Sequence, residues 1–166
     1  MKIRNESKSD VATIEALTEY AFREILHTSH TEQFIVNALR KAGKLSISLV
    51  AENEGEIVGH VAVSPVTVSD GSNGWFGLGP ISISPEYQRK GIGTKLMEEA
   101  IAELKKTGAS GCVLLGDPYF YKRFGFKVIP EIVLPGLPPE YFQALPLIAE
   151  IPKGEVTYHE AFNAQS

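Results

Sequence analysis

The stretch Leu78-Gly79-Pro80-Ile81-Ser82-Ile83-Ser84-Pro85-Glu86-Tyr87-Gln88-Arg89-Lys90-Gly91-Ile92-Gly93-Thr94 decides how this chain is read. An apolar run over 78–83 ends in a glycine turn, after which Ile92, Leu96, Ala100 and Leu104 recur at helical spacing as far as Lys106. The order strand, turn, helix sets the unpaired N–H groups of a helix start beside two residues without a Cβ, which is a seat for a pyrophosphate. Arg89, Lys90 and Lys95 add positive charge there. Two common phosphate loops are excluded by spacing. The single Gly-Lys pair, Gly43-Lys44, is followed by Leu45 and has Ala38 where a P-loop needs its earlier glycine. A dinucleotide fingerprint starting at Gly91 would need a third glycine at the position of Leu96.

Gln88-Arg89-Lys90-Gly91-Ile92-Gly93 fits Gln/Arg-x-x-Gly-x-Gly/Ala and resembles the pyrophosphate turn of the Gcn5-related N-acetyltransferases. A second element follows the apolar run 112–115. Tyr121, then Gly125-Phe126, resembles that family's Tyr-x-x-x-Gly-Phe. The Gly116-Asp117-Pro118 opening, the Arg123-Phe124-Gly125-Phe126 ending and the terminal Tyr158-His159-Glu160-Ala161-Phe162-Asn163 further resemble a bacterial, YhbS-like branch. The resemblance covers nearly the whole chain. It implies an α/β (α+β) fold with a mixed, mostly antiparallel central sheet of 6–7 strands and about four helices. A parallel strand pair joined through the helix 91–106 would splay to hold acyl-coenzyme A.

Composition is consistent with one such domain over 1–166, with a core over about 1–129 and a proline-rich segment plus closing strand over 130–166. At 166 residues with 43% apolar content, the chain builds one sizeable core and is short for two. Sixteen basic against twenty acidic residues, a net charge of −4, argue against nucleic acid as the main partner. One cysteine, Cys112, rules out an intramolecular disulfide framework and a four-cysteine metal site. No run approaches the roughly 18 apolar residues of a membrane span, and the first residues lack a secretory apolar stretch, so the cytoplasm is the expected compartment.

Along the chain, 2–5 reads as an opening strand, and Ser9-Asp10 supplies N-cap chemistry for a helix with Val11, Ile14, Leu17, Ala21 and Ile25 on one face. A second helix runs from Thr31 to a stop at Gly43. Runs 46–52 and 57–68 form a hairpin about Asn53-Glu54-Gly55-Glu56, with Pro65 limiting pairing near the end, and 75–84 is a third strand. The nearly all-apolar 111–115 reads as a buried parallel strand reached by a right-handed crossover. Six prolines between 130 and 152 point to loop with a short helix at 139–144, and 155–159 to a closing strand.

The resemblance implies transfer of an acetyl group from acetyl-coenzyme A directly to a primary amine, with no metal. It implies backbone N–H groups of Ile81, Ser82 and Ile83 on the pantetheine and oxyanion, and Gln88, Arg89, Lys90, Gly91, Ile92, Gly93 and Thr94 on the pyrophosphate. Tyr121 is then the donor to the departing sulfur, and a plain aromatic packing partner of Phe120, Phe124 and Phe126 otherwise. With ordinary values near 10 for a phenol and about 8.5 for a thiol, complete transfer is uphill by roughly 2 kcal/mol, so hydrogen-bond donation is the expected role. The strand 75–84 holds no Asp or Glu; Glu32 is the candidate base, or simply charge at a helix start.

Other polar residues have plainer readings. His60 shares strand parity with Val58, Ala62 and Ser64 and reads as a hydrogen-bonded sheet histidine. His27 and His30 read as loop residues rather than metal ligands, Cys112 as a small buried hydrophobe, and Asp117 as a helix cap. Glu19, Glu24 and Glu32 hint at a cationic acceptor, or form a solvated helix face. Competing functions are an acyl-coenzyme A sensor without catalysis, and an acyltransferase with a different donor or a hydroxyl acceptor. No nucleic acid or membrane partner is expected, and the chain is read as monomer or homodimer.

Overall fold

The computed structural model describes residues 1–26 and 28–166. His27 lies outside the described residues. The fold is mixed α/β, with an eight-stranded, mostly antiparallel sheet and four α-helices among the described residues. The chain divides into two compact units, residues 1–64, 79–101 and 160–166 in the first and 65–78 and 102–159 in the second.

In the first unit, β1 (Lys2–Asn5) pairs antiparallel with β2 (Ile47–Asn53), which pairs antiparallel with β3 (Glu56–Val68) through Val63. The β2–β3 hairpin turns through Glu54 and Gly55, at φ 51 and 81, the paired left-handed geometry that a two-residue hairpin requires. Helix α1 (Val11–Phe22) and helix α2 (Glu32–Lys41) cover one face, where Ile14 and Val36 pack with Val50 and Ala62. Helix α3 (Ile92–Lys106) begins against the other face. A Cβ on Gly59 would lie 3.0 Å from Leu96 and 3.1 Å from both Ile83 and Ile92, so this strand residue has to be small.

Helix α1 differs from expectation at both ends. Its N-cap is Asp10, as the sequence predicts, but the residue that joins it is Ser7 rather than Ser9, the two closing a capping box around a short 3₁₀ turn at Lys8–Asp10. Its last residue is Phe22, so Ile25 falls beyond it and is exposed. Asp10 is buried against Arg4 at 2.7 Å, and that guanidinium holds its carboxyl well below the usual carboxylate range. Helix α2 starts after its N-cap Thr31, as the sequence predicts.

In the second unit, the first residues of β4 (Trp75–Ile83) run parallel to β5 (Gly111–Leu115) over Trp75–Gly77. Beyond Pro65, β3 changes partner and pairs with β8 (Gly154–Tyr158). The two-residue β6 (Ile132–Val133) lies parallel to β8. The proline-rich segment contains a strand that its composition hides. β7 (Phe142–Pro146) pairs antiparallel with the full length of β5, where loop was expected; of the short helix expected at 139–144, a 3₁₀ turn forms at Pro139–Tyr141 and ends where the strand begins. Its first four residues, Phe142-Gln143-Ala144-Leu145, are free of proline, and Pro146 only ends the strand. Trp75, Val113, Phe142, Ala144 and Val156 form the core here.

Candidate active site

In the first unit, a 3₁₀ turn at Pro85–Tyr87 leads from β4 into the glycine turn. Gln88 ties the turn back to its strand by donating from Nε2 to the Ile83 carbonyl at 3.2 Å. Arg89 then adopts φ 64 and Gly91 φ 83. A left-handed Arg is uncommon and costs on the order of 1 kcal/mol or more, the kind of local strain that clusters at ligand clamps. The first helical hydrogen bond of α3 runs from the Lys95 N–H to the Gly91 carbonyl, so the N–H groups of Ile92, Gly93 and Thr94 precede the ladder and have no partner within the helix. A Cβ on Gly91 would meet nothing within 4 Å. Backbone conformation, not crowding, therefore demands glycine. Residues 88–91 are exposed, and Lys90 Nζ stands 5.2 Å from the Tyr87 ring centroid. The turn is a strained, cationic, donor-rich edge with the chemistry to hold a pyrophosphate.

Upstream, Ile81 and Ile83 are half-buried and Ser82 is buried. The Ser82 hydroxyl has no hydrogen-bond partner among the described residues. Among the other predicted residues of this unit, Glu32 is half-buried as the first residue of α2, and its Oε1 accepts from the Thr28 hydroxyl at 3.5 Å. Beside it, Glu19, Phe22, Arg23, His30 and Gln33 line a cleft of about 170 Å³. Glu19 is paired with Arg23 at 2.6 Å, so its charge is taken up locally. Gln33 is buried with its Oε1 unpartnered. His30 contacts the Ile25 carbonyl at 2.8 Å through Nε2.

Sequence reasoning read His60 as a sheet histidine and missed the company it keeps. Fully buried on β3, it meets the Ser48 hydroxyl of β2 at 2.8 Å through Nε2. The same Ser48 hydroxyl donates a short hydrogen bond to Glu6, which also receives Nε and Nη2 of Arg40, each at 2.8 Å. The Ser48 proton is committed to a carboxylate that only accepts, so Nε2 of His60 must be the donor in its bond to Ser48. That leaves Nδ1 as a bare acceptor, without a partner among the described residues. Burial pushes His60 down to about 4, with Glu6 opposing and Arg40 assisting, so the ring is neutral. On Glu6, burial acts upward, but Arg40 and Ser48 outweigh it and hold the carboxyl below its ordinary value. No local motif announces this set, because Glu6, Ser48 and His60 come from three separate stretches of chain.

In the second unit, Asp117 caps the short helix α4 (Pro118–Tyr121), its Oδ1 accepting from the Tyr119 N–H at 2.9 Å. Tyr121 packs edge-on against Phe120 and Phe126, with centroids 4.9 and 6.2 Å away, so part of the packing role anticipated for it is real. Its ring lies against Gly116, where any Cβ would collide with it. Gly125, at φ 98, ends the segment. Burial, with Asp117 adding to it, pushes the Tyr121 phenol up to about 12, which keeps it protonated at physiological pH. Cys112 is buried and free, and burial pushes its thiol up to about 12, against a role as thiolate nucleophile.

Three comparisons bear on these features. A family model for the acetyltransferase (GNAT) domain matches residues 44–128, which include β3, β4, the glycine turn, α3 and Tyr121. The chain is 35% identical over 171 residues to YhbS of Escherichia coli K12, described as an uncharacterized N-acetyltransferase; the match covers 98% of this chain and 99% of the relative. Among solved structures, a GNAT family acetyltransferase from Brucella melitensis in complex with acetyl-coenzyme A superposes with a TM-score of 0.87 at 46% identity, over 97% of each chain. Escherichia coli YhbS in complex with coenzyme A gives 0.86 at 33% identity, over 99% of this chain and 93% of the other.

Proposed function

Because the chain belongs to the Gcn5-related N-acetyltransferase family and is an acyltransferase of that kind, we propose that it moves an acetyl group directly from acetyl-coenzyme A to a primary amine, working over 1–166 as one domain. The observation that carries this reading is the turn. Arg89 and Gly91 are both left-handed, and three helix-start N–H groups lie outside the α3 ladder. Gln88, Arg89, Lys90, Gly91, Ile92, Gly93 and Thr94 take the pyrophosphate on backbone donors and local positive charge. Acetyl-coenzyme A supplies the activated acyl group. The backbone N–H groups of Ile81, Ser82 and Ile83 bind the pantetheine arm and the developing oxyanion.

Tyr121 serves the leaving sulfur. From a phenol near 12 to a thiol near 8.5, complete proton transfer is uphill by about 5 kcal/mol, so the tyrosine donates a hydrogen bond as the thiolate forms and solvent completes the protonation. Glu32 acts on the acceptor side, where a carboxylate beside the α1–α2 cleft attracts an amine. Support for amine transfer comes from the name of the full-length relative, and support for the donor from the bound molecules of the two superposed structures.

The test is thiol release from acetyl-coenzyme A across amines, amino acids, polyamines, aminoglycosides and peptides, with Tyr121→Phe alongside. Tyrosine-dependent release with one class, about 10- to 100-fold slower in the variant at unchanged acetyl-coenzyme A affinity, is the expected result. Undiminished turnover in Tyr121→Phe removes the tyrosine from the mechanism. Silence across the whole panel, in a protein that binds acetyl-coenzyme A, points instead to a protein substrate or to a sensor.

A further inference from the structure

The proton that the acceptor amine sheds has no direct receiver on β4, since Trp75–Ile83 contains neither Asp nor Glu. Among the described residues, Nδ1 of His60 and Oγ of Ser82 are buried without a hydrogen-bond partner, as are Oγ of Ser64 and Oε1 of Gln33. The Ser84 N–H bonds the Val58 carbonyl at 2.9 Å, and a Cβ on Gly59 would lie 3.1 Å from Ile83. Counting onward along these oppositely running strands brings Ser82 across from His60. Side chains opposite one another on a ladder stand with Cβ atoms about 5 Å apart, which leaves room for one water to bridge a bare imidazole nitrogen and a hydroxyl.

We propose that His60, through a water shared with Ser82, accepts the proton released by the attacking amine. The inference rests on the acetyl-transfer reading, in which the backbone around Ser82 holds the thioester. The amine nitrogen forms its bond to the carbonyl carbon, and its N–H proton passes through the water to His60 Nδ1. The C–S bond breaks, its electron pair leaves on sulfur, and Tyr121 and solvent protonate the thiolate. His60 becomes an imidazolium whose Nε2–H stays on Ser48, whose hydroxyl stays on Glu6. It returns to neutral by giving the proton back through the same water to solvent. Ser48 and Glu6 are positioning residues: they fix the tautomer that leaves Nδ1 free and place a carboxylate one hydroxyl away from the new charge. Glu6 and Arg40 are the charged groups acting on the ring, with opposite effects on its protonation. Burial keeps the ring unprotonated before each turnover, and the Glu6 carboxylate beyond Ser48 favours the charge it takes on. Glu32 then keeps only the task of attracting the amine.

The experiment compares His60→Gln, Ser82→Ala, Ser48→Ala and Glu32→Gln with the native chain, using acetyl-coenzyme A and the fastest amine of the panel. For His60→Gln we expect kcat to fall about 100-fold or more, and for Ser82→Ala about 10-fold, with KM for acetyl-coenzyme A within threefold of native. The lost rate should return in part with rising pH, beyond the gain the native chain shows from deprotonation of the free amine, as hydroxide replaces His60 in taking the adduct's N–H proton, a recovery that a purely structural role would not produce. Glu32→Gln should change KM for the amine more than kcat. Long-range proton–nitrogen NMR of the native, nitrogen-15-labelled chain reads the tautomer independently of any acceptor and of whether His60→Gln folds: an Nε2–H ring agrees, and an Nδ1–H ring overturns the inference. Native-like kcat in folded His60→Gln and Ser82→Ala overturns it while leaving acetyl transfer intact. Failure of every amine with the native chain sinks the transfer reading and this inference with it.

Discussion

The glycine turn and the Glu6–Ser48–His60 set treat polar groups in opposite ways. The turn is exposed, strained at Arg89 and Gly91, and begins a helix whose first N–H groups have no partner within it. The buried set satisfies nearly every donor and acceptor it has, with Arg40, Ser48 and His60 closing on Glu6 in sequence, and leaves one ring nitrogen bare. An anion seat needs donors presented to solvent, whereas a proton acceptor needs one lone pair held in a fixed tautomer. Both depend on an incomplete hydrogen-bond inventory, and the two differ in whether the gap opens to bulk solvent or is held inside the sheet.

The largest expected effect falls on the turn. Gly91→Val forces a β-branched residue to φ 83, which costs on the order of 1–3 kcal/mol. Since nothing crowds that position, the chain should fold and the penalty should appear in the ligand. We expect acetyl-coenzyme A affinity by calorimetry to drop about 10- to 100-fold at nearly native circular dichroism. Native affinity in this variant breaks the contrast, because the turn would then not be the anion seat.

The second prediction concerns the buried set alone. Ser48→Val removes the shared hydroxyl and leaves Nε2–H of His60 buried without an acceptor, at a cost of about 1–3 kcal/mol in urea unfolding. Removing an exposed charge at the turn, as in Lys90→Ala, should change stability by no more than about 0.5 kcal/mol. Equal losses in the two variants would mean that burial does not set the two regions apart.

What could be read from the chain follows the same division. Turn residues, the α3 spacing, the β2–β3 hairpin and Tyr121 with Gly125-Phe126 are each contiguous, so local rules of glycine, capping and periodicity reach them. The set on Glu6 depends on β1, β2 and β3 lying side by side, which no single window displays. β7 was hidden for a related reason. The prolines around it report on the connecting loops, while its pairing with β5 is decided by a partner some thirty residues away. Gly116 is explained only once the Tyr121 ring lies on it.

Stability against pH gives the third test. Folded His60 has a value near 4 against about 6.5 in the unfolded chain, so the unfolded state binds more protons between those values. The contribution of the neutral ring is therefore complete above about pH 6.5 and is lost as pH falls toward 4. By pH 5 the loss is on the order of 2 kcal/mol. Unfolding free energies from urea titrations at pH 7.5 and pH 5 should differ by that amount in the native chain and by much less in His60→Gln. An equal difference in both would place the sensitivity elsewhere.

The smallest effect is the most discriminating, because it divides strain from charge within the turn. Arg89 occupies a left-handed conformation that costs an L-residue about 1–2 kcal/mol relative to glycine, and glycine returns part of that through the greater freedom of its unfolded chain. Arg89→Gly should therefore raise stability by no more than about 1 kcal/mol, a Tm increase of about 2–4 °C for a chain of this size. The same change removes a guanidinium beside the proposed pyrophosphate seat, so acetyl-coenzyme A affinity should fall several-fold and lose part of its salt dependence. Stability and affinity moving in opposite directions is what a turn shaped for an anion predicts. A turn that merely connects β4 to α3 would gain the stability and leave the affinity where it was.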